Sequence, residues 1–335
     1  MTLQKYRTHV AEIINKVGLH HQFFSDLEGL RNKSEFLNVF EFYKKTLDLN
    51  SDYGIVPSFF FFVNSDTING RAVRSPNNEY LIGINRGTIN WLIDNFKSNH
   101  NLVTDYNITL FNILSPHFDT SINNLMYQAG CHFTFYHEMA HLIQQSEYLE
   151  LTMEENPQPI QDFDFNRHLL EVDADTYSAL CLGTHIMQYS EKIFGLNVSK
   201  ILVEALVIVF SIPIILYLLS FEGNRVEIYY RESTHPHPAI RLTNFLMVLT
   251  HYCNGVLDGK DSGFTVDQGD IFLKAMRIAE QLEQPFFGGE TVAAYRMGVT
   301  DNRPAVMEYL TELIEANNEL TTTATYKWNI RQAAN

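Results

Sequence analysis

The chain has few cysteines and a deficit of positive charge. Its 335 residues include three cysteines, Cys131, Cys181 and Cys253, an odd number at wide spacing. They form no readable disulfide framework, so we expect buried free thiols in a reducing compartment. Lysine and arginine number 24 against 39 acidic residues, a net charge of −15. This balance argues against nucleic acid as a partner, because phosphate binding depends on positive charge, and it disfavours an anionic membrane surface.

The sequence also lacks the signals that direct a chain out of the cytoplasm. Its N-terminal residues have no apolar core of the kind found in a secretion signal, and no internal repeat or low-complexity tract follows. With 45% apolar and 19% charged residues, the composition is that of a globular protein. We therefore expect a cytoplasmic localisation.

One long apolar run, residues 201–221, is the exception. It reads ILVEALVIVFSIPIILYLLSF and has the length of a transmembrane helix, which would make the protein inner-membrane associated. The alternative is a helix buried on all sides in the domain core. We favour the buried helix, since one crossing would separate residues 171 and 235, which are assigned below to one site. No second run is long enough to bring the chain back.

The most informative motif is the pentapeptide HEMAH at residues 137–141. Residues 128–145 predict a helix, because they contain no proline and carry apolar residues near the helical period. On that helix His137 and His141 lie one turn apart on the same face and can bind one Zn²⁺, with Glu138 acting on a water. The pentapeptide also occurs by chance, so a third ligand is needed to indicate a catalytic metal site.

A second motif, EVDAD at residues 171–175, supplies that ligand. Catalytic zinc has three protein ligands and keeps one position for water, so we predict Glu171 as the third. Asp175 lies one helical turn later and would orient a ligand imidazole by accepting its hydrogen bond. The alternative is an acidic, solvated helix face, which the surrounding leucines and alanines disfavour.

A third motif is STHPHPAIRL, residues 233–242. Peptide hydrolysis builds negative charge on the former carbonyl oxygen, and His235 is the candidate donor to that oxyanion. Arg241 would hold the local structure or a carboxylate. The alternative, strongest for His237, is a proline-stiffened loop before a helix that begins at Ala239.

Three further side chains are weaker candidates. Tyr229 or Tyr230 would replace His235 as the oxyanion donor. His168 lies three residues before Glu171 and would either line the site or pack in the core.

In their order and spacing, the three motifs resemble gluzincin-type zinc peptidases. The pattern HExxH, ExxAD and THP, with an arginine after the last histidine, looks closest to the phage-exclusion peptidase family Lit and more distantly to HtpX-type membrane peptidases. The resemblance covers roughly residues 60–245. Two features depart from the pattern, the second proline at Pro238 and the long segment between Leu149 and Asn166, and both concern the substrate groove rather than the metal.

The resemblance implies a set of roles. His137, His141 and Glu171 would bind Zn²⁺, Glu138 would be the general base, and Asp175 would support the ligands from behind. It also implies a protein or peptide substrate inside the cell and a role in phage exclusion or a toxin-like response.

The sequence predicts a mostly helical α+β fold, with a small antiparallel or mixed sheet on the HExxH helix and a helical C-terminal subdomain. Residues 55–65 are rich in aromatics and predict a strand. Residues 68–73 and 79–87 flank the polar turn SPNN and predict a hairpin. The corresponding domains are an N-terminal helical region (1–54), a zinc metallopeptidase domain (55–254) and a helical region (255–335), with a flexible break after Asn254.

In the fold that the resemblance implies, an edge strand above the metal helix receives the substrate backbone. INGRAV and EYLIGI are the candidate edges, and both could instead pair internally. Within INGRAV, the candidate residues are Asn69, Gly70, Arg71, Ala72 and Val73.

Two other functions compete with a soluble peptidase. One is a membrane-anchored quality-control protease that uses residues 201–221 as its anchor. The other is a non-catalytic binding or sensor protein with structural zinc, which the absence of suitably spaced cysteines disfavours.

Overall fold

The computed structural model describes residues 2–104, 108–149, 163–195, 198–221 and 227–334. Over these ranges the chain is mostly helical with one small mixed sheet, which confirms the predicted α+β fold class. The helices are α1 (Leu3–Val17), α2 (Lys33–Leu49), α3 (Arg86–Leu92), α4 (Asn101–Thr104), α5 (Thr109–Leu114), α6 (Ile122–Gln144), α7 (Phe165–Tyr189), α8 (Lys200–Leu219), α9 (Pro238–Gly259), α10 (Gln268–Leu282), α11 (Gln284–Phe287), α12 (Thr291–Asp301), α13 (Arg303–Asn318) and α14 (Ala324–Ala334). The strands are β1 (Ser58–Val63), β2 (Gly70–Arg74) and β3 (Tyr80–Asn85).

The chain divides into two compact units. The first comprises Met1–Leu92, Thr134–Gln158 and Thr321–Asn335, and the second comprises Ile93–Phe133 and Pro159–Leu320. In the first unit the N-terminal helices belong with the sheet. The division expected from the motifs (1–54, 55–254 and 255–335) stays a prediction.

The sheet of the first unit has the strand order β1-β3-β2. Strand β1 runs parallel to β3, and β2 runs antiparallel to it, which confirms the predicted hairpin. Strand β3 contains all of EYLIGI except Glu79 and is paired on both sides, so the prediction that EYLIGI forms an edge is wrong. The reason is the buried aromatic run of β1, which covers the other side of β3. The last four residues of INGRAV, from Gly70 to Val73, lie in the edge strand β2.

The two faces of the sheet pack against different helices, as the alternation of side chains along a strand requires. On one face Phe60 contacts Phe135 of α6, with ring centroids 6.3 Å apart, and Tyr43 of α2 stacks on Phe135 at 4.3 Å. On the other face Phe59 and Phe61 join Ile13 of α1 in an apolar cluster. The sheet therefore packs on the helix that carries HEMAH, as predicted.

Helix α8 of the second unit contains the long apolar run. It is the one helix among the described residues that is long and apolar enough to cross a membrane, and 94% of its most apolar window is buried inside the protein. Its burial is what the core-helix interpretation requires. The localisation of the protein stays a prediction.

The break predicted after Asn254 begins later in the structure. Helix α9 continues to Gly259, because Leu257 is still buried on its inner face at 2% exposure. The predicted helices near 265–283 and 304–318 are confirmed by α10 and α13. The three cysteines are buried and free, as expected, and burial raises the pKa of Cys253 to about 12.

Candidate metal centre

The predicted ligand pair lies on helix α6. The Nε2 atoms of His137 and His141 are 3.2 Å apart, and the two rings are perpendicular at 89°. Two ligands bound tetrahedrally to Zn²⁺ at about 2.0–2.1 Å are about 3.3 Å apart. The spacing of the two ring nitrogens therefore matches the spacing that one ion requires.

The orientation of His141 is set by a residue that sequence reasoning missed. The Nδ1 atom of His141 lies 3.0 Å from Oε1 of Gln144, which is buried at 3% exposure. An amide oxygen accepts, so Nδ1 carries the proton and Nε2 is left with a lone pair directed towards His137. The signal for this role was the position of Gln144, three residues after His141 on the same helical face.

The third predicted ligand completes a group that can hold a metal ion. One ligand atom each of His137, His141 and Glu171 lie within 4.8 Å of one another. Two imidazole nitrogens and one carboxylate oxygen are a donor set typical of a catalytic site with an open position. The chemistry and spacing of these side chains therefore fit a divalent ion.

Helix α7 holds Glu171 in a buried environment. The helix begins after Asp164, whose side chain accepts hydrogen bonds from the backbone N–H groups of Asn166 and Arg167. Glu171 and Asp175 lie one turn apart with exposures of 9% and 0%. The alternative of an acidic, solvated helix face is therefore wrong.

Arg241 of α9 binds both carboxylates. It donates from Nε and Nη2 to the two oxygens of Asp175 at 2.7 and 2.8 Å, and its Nη1 lies 3.3 Å from Oε2 of Glu171. Burial lowers the pKa of Arg241, but the attraction of Asp175 and Glu171 outweighs it, so the pKa is raised and the guanidinium stays charged. Of the two roles expected of Arg241, the structure shows the contact with a carboxylate. The predicted bond from a ligand imidazole to Asp175 stays a prediction.

His235 reaches the same carboxylate from the loop before α9. Its Nε2 lies 3.6 Å from Oε1 of Glu171, and 57% of its side chain is exposed. Its Nδ1 lies 3.0 Å from Oγ1 of Thr234. This geometry places an exposed imidazole beside Glu171, and its role as an oxyanion donor stays a prediction.

His237 has the structural role that the alternative interpretation gave it. It is the N-cap of α9, and its Nδ1 accepts a hydrogen bond from the N–H of Ala239 at 3.1 Å. Its buried ring packs against Tyr229 and Tyr295, with centroids 4.7 and 5.3 Å away. The helix begins one residue earlier than predicted, at Pro238, because proline is favoured at the first helical position.

His168 packs in the core and anchors the loop that carries His235. Its Nδ1 accepts from the hydroxyl of Tyr309 at 2.9 Å, and its Nε2–H donates to the carbonyl of Ser233 at 2.8 Å. Burial lowers the pKa of His168, which favours the neutral ring that these bonds require. Tyr230 packs on Tyr309 at 5.7 Å, and its role as a donor stays a prediction.

The edge strand β2 passes directly over Glu138. A Cβ atom added to Gly70 would lie 2.7 Å from Oε1 and 3.0 Å from Cγ of Glu138, so a larger residue here would require the Glu138 side chain to shift. The preceding residue, Asn69, is held by Thr88, whose hydroxyl accepts from its N–H at 2.8 Å and donates to its carbonyl at 2.7 Å. Sequence reasoning missed Thr88.

Strand pairing divides the five candidate edge residues into those whose backbone groups face β3 and those whose backbone groups face away from it. The N–H of Asn85 donates to the carbonyl of Asn69. Asn69 and every second residue after it along β2 therefore turn their backbone groups towards β3. Arg71 and Val73 therefore cannot pair with a further strand. The backbone groups of Gly70 and Ala72 point away from the sheet, although the N–H of Gly70 donates to the side chain of Asn69.

Comparisons of the chain with protein-family models, curated proteins and solved structures found no match. The resemblance to gluzincin-type peptidases therefore rests on the three motifs and stays a prediction.

Proposed function

We propose that the protein is a zinc-dependent peptidase that hydrolyses a peptide bond in an intracellular protein. The observation that carries the proposal is the convergence of three side chains: the Nε2 atoms of His137 and His141 are 3.2 Å apart, and one ligand atom each of His137, His141 and Glu171 lie within 4.8 Å of one another. Zinc is the metal that best suits two imidazoles and one carboxylate with a position left for water. When bound, the ion supplies Lewis-acid activation of a water and of the scissile carbonyl.

Glu138 is the general base in this proposal. It follows the first ligand on α6, is 9% exposed, and lies against the backbone of β2. It takes the proton of the attacking water and passes it to the leaving amine. Its contact with Gly70 keeps the carboxylate beside the strand that would carry the substrate.

The substrate binds as an added strand along β2. Ala72 has a backbone N–H and a carbonyl directed away from the sheet, the pattern that an extended peptide pairs with. A peptide chain in this position passes Glu138, over which Gly70 lies. This supports a protein or peptide substrate rather than a small metabolite.

His235 donates to the developing oxyanion. Its exposed ring beside Glu171 can reach a substrate, and loop residue Ser233 is fastened by His168. Arg241 limits the rotamers of Asp175 through its buried, bidentate pair, and it places a positive charge 3.3 Å from Glu171.

We further propose a cytoplasmic protein with a role in phage exclusion or a toxin-like response. The three buried free cysteines and the buried apolar helix α8 support the compartment. The order of the three motifs supports the role in phage exclusion or a toxin-like response. Fractionation of cell lysate into soluble and membrane parts tests the compartment, and a chain found in the membrane part would favour the membrane-anchored protease.

The deciding experiment compares the wild type with Glu138→Gln. We expect about one zinc per chain in both proteins by elemental analysis, and new protein N-termini only in cells that express the wild type. A surface change, Glu308→Gln, is the control and should behave as the wild type. Zinc without any cleavage by the wild type would favour the sensor function, and equal cleavage by Glu138→Gln would remove Glu138 from the role of base.

A further inference from the structure

The second unit contains a cavity that the proposed chemistry does not use. It has a volume of about 430 Å³ and lies among helices α9, α10, α12 and α13. Most of its wall is apolar and is formed by Leu246, Phe272, Leu273, Val299, Val306 and Met307. Small-molecule sites in proteins have volumes of about 300–1,000 Å³ and apolar walls with a few polar groups, and this cavity has both properties.

One charged side chain lines this cavity. Arg303, the first residue of α13, is the only ionised group among the described residues of the lining. Arg231 and Arg296 in the same unit are each paired with a carboxylate, Glu312 and Glu280 respectively. Among the ion pairs of the described residues, Arg303 has no such partner, although the chain has an excess of 15 acidic groups. A guanidinium without an acid beside an apolar cavity is suited to an anionic ligand group.

We infer that the cavity binds a small single-chain carboxylate, with the carboxylate on Arg303 and the hydrocarbon chain against the apolar wall. A chain of about eight to twelve carbons suits a cavity of this size class. One guanidinium balances one carboxylate, whereas a phosphate monoester would leave excess negative charge. At the rim, Leu273 is 41% exposed, so the apolar wall extends to the solvent, where a chain can enter.

Decanoate binding to the full-length protein, measured by titration calorimetry, tests this inference. We expect saturable binding of one decanoate per chain and weaker binding of decanol, which has the same chain without the charge. Replacing Arg303→Gln should weaken decanoate binding about tenfold through loss of the charge-assisted pair. Arg277→Gln, a change of an exposed arginine on α10 outside the lining, should leave the affinity unchanged.

A second pair of variants tests the cavity itself. Thr300 is an exposed lining residue whose hydroxyl bonds only to its own helix, at the carbonyl of Arg296. Thr300→Phe should fill the mouth and reduce decanoate binding at least tenfold. Thr311→Phe is the matched control, because Thr311 is also exposed and makes the same type of bond, to Met307, outside the lining. Absence of saturable binding, equal binding of decanol, or unchanged affinity in Arg303→Gln and Thr300→Phe would overturn the inference.

Discussion

The histidine pair and the carboxylate–arginine network are built in different ways. His137 and His141 are adjacent in sequence and are aligned by the period of one helix. Glu171, Asp175 and Arg241 come from two helices, and the arginine is 66 residues from its closest acid partner. A local pair forms wherever its helix forms, whereas the network forms only after the tertiary fold has brought α7 and α9 together.

The two groups also differ in what burial demands of them. A neutral imidazole can be buried without a counter-ion, and one hydrogen bond from His141 to Gln144 is enough to orient it. Asp175 and Arg241 are charged and fully or nearly buried, so each is stable there only because the other is present. Damage to the histidine pair should therefore affect metal binding, and damage to the network should affect folding as well.

Breaking the histidine pair should have the largest effect on function. In His137→Ala we expect loss of bound zinc and of all detectable cleavage, since one of three ligands is gone, with the fold retained by circular dichroism. Elemental analysis and the appearance of new N-termini check this, with His251→Ala as an exposed control. Zinc at full stoichiometry in His137→Ala would contradict the ligand assignment.

Breaking the network should have the largest effect on stability. Asp175→Ala leaves the Arg241 guanidinium buried beside Glu171 alone, and we expect the free energy of unfolding to fall by about 3–5 kcal/mol. Urea unfolding measures the change. Glu312→Ala removes the partner of Arg231 in an exposed pair and should change stability little. Equal effects of the two variants would mean that burial does not distinguish the two pairs.

A smaller effect is expected at the contact between β2 and Glu138. Gly70→Ala places a methyl group against the Glu138 carboxylate, and we expect about a tenfold loss of cleavage rate because the base is displaced. Zinc content should not change. Gly289→Ala is the control, since its added Cβ would meet nothing within 4 Å. An unchanged rate in Gly70→Ala would show that Glu138 tolerates the displacement.

The smallest expected effect for a single group is a dependence of stability on pH, which arises from buried and half-buried histidines outside the ligand pair. Burial lowers the pKa of His132, with His185 beside it, and burial also lowers the pKa of His185 and His168. The unfolded chain binds more protons than the folded one, so stability should fall as the pH drops below about 6.5. Each histidine contributes at most about 1.4 kcal/mol per pH unit. Urea unfolding at pH 7.5 and 5.5 measures this, and equal stability at both values would contradict the pKa directions.

Sequence patterns were reliable where structure depends on neighbours in the chain. The helix through HEMAH and the hairpin of β2 and β3 both follow from period and turn chemistry. The prediction of a second edge at EYLIGI was wrong, because a strand becomes central only when a distant strand, here β1, pairs with its other side. Likewise, nothing local to His168 indicates its bond to Tyr309, which is 141 residues away.

The amino-acid sequence therefore determines which residues form the candidate metal centre: two histidines on one helical face and a downstream carboxylate, with a glutamate between the two histidines. Tertiary structure decided three other properties. It placed Arg241 on Asp175 and Glu171, it laid Gly70 over Glu138, and it enclosed the cavity beside Arg303. The physical reason is that helix period and turn type act over a few residues, whereas close packing and the pairing of buried charges act between segments whose meeting no local pattern encodes.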